Sequence, residues 1–341
     1  MTTSTVDQRT GAEPYPIETA ADYASVAAIL VVGDRLGIVG QLDSGQPVNV
    51  AELAKAADLR EEIVANYLEA LTAAGVANPV PGQPGVFQVV PNFLQIRYEA
   101  GYVSWLMNAN RPFIEHAREF VESPEHARRA YQRDGREVAV SSQWAGALAF
   151  YHLALNSILA EDPRRVVDLG AGTARLLIAV LQQIPAATAL ALDLDGPACA
   201  EARKNGDRAG VGDRLTVVER SIQSIATDPS PVEGADVIHA GFVFHDLMPD
   251  EEEIADQVLR RCRESLNAGG VLAITDAVPY ASSERERRFS AAMTYFHHQF
   301  MGRKLLTEAE WERKLLAAGF DSVEVAQHRL PSARLYVARK R

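Results

Sequence analysis

The chain has 341 residues, 47% hydrophobic and 23% charged, with a formal net charge of −11. That length suits two ordinary domains. The negative balance, with no dense basic run, argues against nucleic acid and anionic membrane as partners.

Taken in order, residues 1–15 are polar, lack the apolar stretch of a signal peptide, and are expected to be a disordered arm. Residues 16–100 are expected to form a mostly helical, winged-helix-like domain. An Ala-rich helix over 20–40 comes first. A second helix follows, with Asn49 as its N-cap. In a third, Ile63, Tyr67, Leu68 and Leu71 share a face and Gly75 marks the stop. A short hairpin is expected around the Pro/Gly turn of VANPVPGQPGVFQVV. Such a domain can bind DNA or pair subunits. The third helix carries Arg60 against Glu61, Glu62 and Glu69, and phosphate would repel it, which favours pairing or substrate covering. A regulator that binds cofactor and DNA is the non-enzymatic alternative. Residues 101–160 read as a helical linker contributing to a substrate pocket.

Over 161–341 strands and helices alternate. RRVVDLG, ATALALDLD, DRLTVVE, ADVIHAGFVF and GGVLAITDA read as strands separated by amphipathic helices, the pattern of a Rossmann-like doubly wound α/β sheet. DSVEVAQHRLPSARLYVARKR reads instead as two strands turning at Pro331. The two cysteines, Cys199 and Cys262, imply no disulfide framework and fit a reduced, cytoplasmic setting. No apolar run reaches the roughly 18 residues that span a bilayer.

Three loops at strand ends carry candidate chemistry. Asp168, Gly170, Ala171 and Gly172 form an acid followed by a glycine turn between a strand and a helix, where backbone can approach a ligand closely. Arg175 stands where the dinucleotide fingerprint needs a third glycine. Asp193 ends the next strand, where an acid can accept from both ribose hydroxyls; Leu194 and Asp195 follow, and Asp195 is a rival for that role. The glycine turn, Asp193 and the terminal hairpin resemble class I S-adenosylmethionine-dependent methyltransferases with a seven-stranded sheet. The resemblance implies that Asp168 holds the methionyl part of the cofactor. It also places Ser221, beside Ile222, where the family usually has an adenine-contacting Asp. Gly241 and Phe242 complete the implied cofactor contacts.

Beyond Phe242 lies the pair His245-Asp246. Many small-molecule O-methyltransferases with a similar N-terminal domain have such a pair, and the resemblance implies that His245 is a metal-free general base in a homodimer. A second resemblance is finer. His298-Gln299-Phe300-Met301-Gly302, Tyr131-Gln132-Arg133-Asp134 and Trp105 are similar to stretches of the 2-oxo acid C3-methyltransferases, typified by phenylpyruvate C3-methyltransferase. It implies that His245 and His298 hold iron or zinc, that Arg133, Trp105 and Phe296 line the pocket for a 2-oxo acid, and that the metal stabilises an enolate for C3 methylation, as in secondary metabolism. His297 and Gln299 depart from that pattern. The base stays open between Asp246, His297 and a metal-bound hydroxide. His239 reads as a strand residue, and His116, His126, His152 and His328 as surface or structural positions.

Overall fold

The computed structural model describes residues 17–149, 151–280 and 283–341; the arm expected over 1–15 lies outside the described residues. Two compact units emerge, one running to Glu115 and resuming over Gln132–Leu148, the other comprising His116–Tyr131 and Ala149–Arg341. Residues 101–160 are thus shared out between the two units. Among the described residues, no helix is long and apolar enough to cross a membrane.

In the first unit a helix at Ile17–Arg35 precedes strand β1 (Val48–Asn49), helices Val50–Ala57 and Glu61–Ala73, and strands β2 (Ala77–Pro79) and β3 (Val86–Val89). The strands pair in the order β1-β3-β2, all antiparallel, as in a winged helix. Asn49 starts its helix by accepting from the N–H groups of Ala51 and Glu52, two donors that no helical carbonyl can reach. Helix Glu61–Ala73 buries Val64, Tyr67, Leu68 and Leu71. Val64, one turn before Leu68, faces inward more fully than Ile63, which is only half-buried.

In the second unit seven strands line up as β6-β5-β4-β7-β8-β10-β9. They are β4 (Arg165–Leu169), β5 (Thr188–Asp193), β6 (Leu215–Glu219), β7 (Val237–Gly241), β8 (Val271–Ala277), β9 (Ser322–Gln327) and β10 (Ala333–Arg339). β4 to β8 are parallel; β10 runs antiparallel to both β8 and β9. The central strands are apolar on both faces because helices cover both. Val167, Leu169, Ile238 and Ala240 join one core with Leu259 and Trp311, while Val166, Ala189, Ala191 and Val237 join another with Leu177 and Val180. Truncating one such side chain, Leu169→Ala for example, costs about 2–5 kcal/mol.

The chain order reverses at β4, which has β5 on one side and β7 on the other. At such a switch point the loops leaving adjacent strands diverge, and a crevice opens beyond their carboxyl ends. Every predicted strand of this sheet is present, including the closing hairpin.

Candidate active site

The loop after β4 is built for close approach. Gly170 has φ +77°, its N–H donates to Leu192 O, and a Cβ there would strike the Val243 side chain. Gly172 has φ +53°, with open space where a side chain would stand. Its N–H donates to Asp193 Oδ2 at 2.7 Å, while Asp193 Oδ1 accepts from the Asp195 N–H at 2.9 Å. Asp193 therefore pins the glycine turn to the end of β5 and keeps further lone pairs for a ligand. Asp195 serves instead as a helix N-cap, accepting from the Ala198 N–H. Leu194, beside Asp193, is 70% exposed and presents an apolar surface.

The third loop places Ser221 at the end of β6, its carbonyl accepting from the Ser224 hydroxyl, and buries Ile222 in the sheet core. At the end of β7, Phe242 has φ +56°. A large side chain rarely adopts that conformation, and such strain concentrates at ligand sites. Asp168 is 4% exposed, and its Oδ1 meets His239 Nδ1 at 2.7 Å.

His245 sits in a short 3-10 turn, Phe244–Leu247, just past β7, and is 7% exposed. Its Nδ1 meets Asp276 Oδ1, on neighbouring β8, at 2.6 Å, and its Nε2 lies 3.2 Å from Asp246 Oδ1. The same Asp246 oxygen is 2.8 Å from Arg303 Nη1. Burial disfavours the charged ring. Asp276, by its charge and hydrogen bond, and then Asp246 outweigh burial, and the pKa of His245 lies above the ordinary value although Arg303 opposes them. Asp276 itself is 1% exposed. Sequence reasoning missed both Asp276 and Arg303. The available signal for Asp276 was an acid near the end of the mostly apolar strand VLAITDA.

The segment Phe296–Met301 is a π-helical turn continuing helix Glu284–Tyr295. His297, 5% exposed, presents its ring edge-on to His245, with centroids 5.1 Å apart, and its Nδ1 donates to Met293 O at 2.7 Å. His298 has its Nε2 accepting from the Leu305 N–H at 3.3 Å, and burial holds its pKa below the ordinary value. Among the described residues no group of three or more His, Cys, Asp or Glu side chains is arranged to hold a metal ion. Phe296 stacks on Phe300. Trp105 and Arg133 belong to the first unit, where Trp105 opens a π-helical turn. There Arg133 Nη1 lies 3.5 Å from Asn110 Oδ1, and its guanidinium stands 5.9 Å from the centre of the Phe113 ring.

A methyltransferase-domain family model matches residues 167–272, from β4 into β8. The chain is 30% identical, over 281 residues, to 2,7-dihydroxy-5-methyl-1-naphthoate 7-O-methyltransferase of Streptomyces carzinostaticus, covering 77% of this chain and 80% of that one. This chain belongs to the S-adenosylmethionine-dependent O-methyltransferase family. It is also 33% identical to aclacinomycin 10-hydroxylase RdmB of Streptomyces purpurascens over 147 residues, which span 43% of this chain and 37% of the hydroxylase. A solved structure described as PigF with SAH shares the fold, with a TM-score of 0.58 and 20% identity over 95% of this chain and 97% of that one.

The methyltransferase's own residues fit the cofactor on structural grounds. The open flank of Gly172, the acceptor pair on Asp193 and the bare apolar face of Leu194 suit an amino-acid chain, a ribose and a base.

Proposed function

We propose that the enzyme methylates a hydroxyl oxygen of a small aromatic acceptor, with His245 as general base. The observation that carries this proposal is the His245–Asp276 pair at 2.6 Å. A carboxylate can only accept, so Asp276 holds the proton on Nδ1 and fixes the tautomer whose Nε2 can take a proton. An acceptor hydroxyl at Nε2 takes the place of Asp246 Oδ1, which Arg303 retains. As the oxygen attacks, its proton passes to Nε2, and Asp276 stabilises the imidazolium that forms. The bound cofactor supplies a methyl group made electrophilic by its sulfonium. Asp193 and the glycine turn hold that cofactor, and alignment in a dry crevice supplies the remaining rate enhancement.

A second proposal keeps the 2-oxo acid C3-methylation. The observation that favours it is that the His245 and His297 rings stand edge-on with centroids 5.1 Å apart, a spacing at which two imidazoles can share one ion. In this version His297 replaces His298 as the partner of His245, because the Leu305 N–H engages Nε2 of His298. Iron or zinc held by two imidazoles would polarise the keto oxygen and stabilise the enolate. In both versions the first unit is a homodimerisation domain and the acceptor a secondary metabolite.

One experiment separates the two. Chelator-treated enzyme is given methyl-labelled cofactor with hydroxylated aromatics and, separately, 2-oxo acids. Label on oxygen at an undiminished rate is the expected result. Label on carbon, lost on chelation and restored by iron or zinc, would establish the second.

A further inference from the structure

His239 lies in β7, opposite Asp168 of β4 in the parallel register. Both side chains are more than nine-tenths buried, and Nδ1 and Oδ1 are 2.7 Å apart. The other ring nitrogen, Nε2, is buried without a hydrogen-bond partner among the described residues. An unpaired buried polar atom costs about 1–3 kcal/mol, so its presence needs an explanation.

The ring's position supplies one. His239 and Gly241 share a face of the sheet, because side chains alternate along a strand. A Cβ on Gly241 would lie 3.1 Å from His239 Cε1 and 3.8 Å from Nε2. The imidazole therefore leans along β7 toward its carboxyl end, into room that exists because residue 241 is glycine. That end borders the loop of Gly170 and Gly172. Asp168 Oδ1 can only accept, so Nδ1 carries the proton and Nε2 of the neutral ring offers a lone pair.

We propose that His239 Nε2 is a cofactor-binding atom that accepts a hydrogen bond, direct or through one water, from the α-ammonium of the methionyl end. The inference rests on the cofactor assignment above. Family resemblance gives the methionyl contact to the acid at position 168. In this chain that carboxylate is 4% exposed and committed to the imidazole, and His239 carries its polarity outward. Asp168 becomes the residue that sets the tautomer of His239.

Isothermal titration tests this with three ligands: S-adenosylhomocysteine, its analogue lacking the α-amino group, and 5′-methylthioadenosine, which lacks the whole amino-acid end. In the wild type, the deaminated analogue binds more weakly than S-adenosylhomocysteine. His239→Phe, which keeps the ring and removes the nitrogen, weakens S-adenosylhomocysteine about tenfold, about 1.4 kcal/mol, and abolishes the discrimination. Its affinity for methylthioadenosine stays unchanged. His239→Gln, with an amide at similar reach, restores part of the discrimination and serves if the Phe variant fails to fold. Undiminished discrimination in these variants would overturn the proposal, as would an equal loss for all three ligands, the mark of a structural role. If the wild type bound none of the three, the cofactor assignment itself would fail, a result distinct from either.

Discussion

Strand β7 and the turn after it carry two histidines, and each meets an aspartate on a strand neighbouring β7. His239 lies inside the strand and pairs sideways with Asp168 of β4; His245 lies in the turn beyond and pairs with Asp276 of β8. The chemical pair is the same, with Nδ1 to a carboxylate oxygen at 2.7 and 2.6 Å. The surroundings differ. Nε2 of His245 meets Asp246, a side chain that is 44% exposed and shared with Arg303, whereas Nε2 of His239 is buried with no hydrogen-bond partner among the described residues. Position along the strand thus separates a ring that can exchange a proton with an incoming hydroxyl from one that can only receive a fixed donor.

The comparison can be broken from either side. The largest effect is expected for His245→Ala, which lowers single-turnover methyl transfer by about 10²–10⁴-fold and leaves the affinity for S-adenosylhomocysteine within twofold, roughly the noise of titration. A matching loss of cofactor affinity would merge the two pairs into one site. Asp276→Asn comes next. An amide can donate to Nδ1 and favour the wrong tautomer, so transfer falls by about 10²-fold, again without loss of cofactor binding; an unchanged rate would show that Asp276 serves packing alone. Gly170→Ala acts on the glycine turn that follows Asp168. The added methyl meets Val243 at positive φ, and denaturant titration should show a loss of about 1–3 kcal/mol together with weakened cofactor binding. The smallest effect is expected for Arg303→Met, which frees Asp246 and changes transfer by less than about tenfold, as for a part-exposed ion pair. A larger change would make Arg303 part of acceptor binding.

Much of the fold was legible because buried parallel strands read as apolar runs and surface helices as amphipathic ones. Asn49, Gly75, the glycine turn and the hairpin at Pro331 were visible from local chemistry alone. The partners of the histidines were not. Asp276 reaches His245 only because β8 is the neighbour of β7, and Asp168 reaches His239 only through the β4–β7 register; strand order and register are long-range facts. The placement of His297 was hidden for a local reason. A π-helical turn shifts the helical phase, so an α-helical period does not tell which residue of Phe296–Met301 meets His245; the structure sets the His297 ring edge-on to it. Arg303 was invisible because its role depends on Asp246, which is distant in sequence.

The proposed methyl transfer depends on His245 taking the acceptor's proton. Its most direct test is the single-turnover rate of wild type and His245→Ala across a series of phenols of graded acidity. If His245 is the base, the wild-type rate varies little along the series. The variant's rate climbs steeply toward the wild-type rate for the most acidic phenols, which arrive already ionised. A variant slowed by the same factor for every phenol would contradict the assignment.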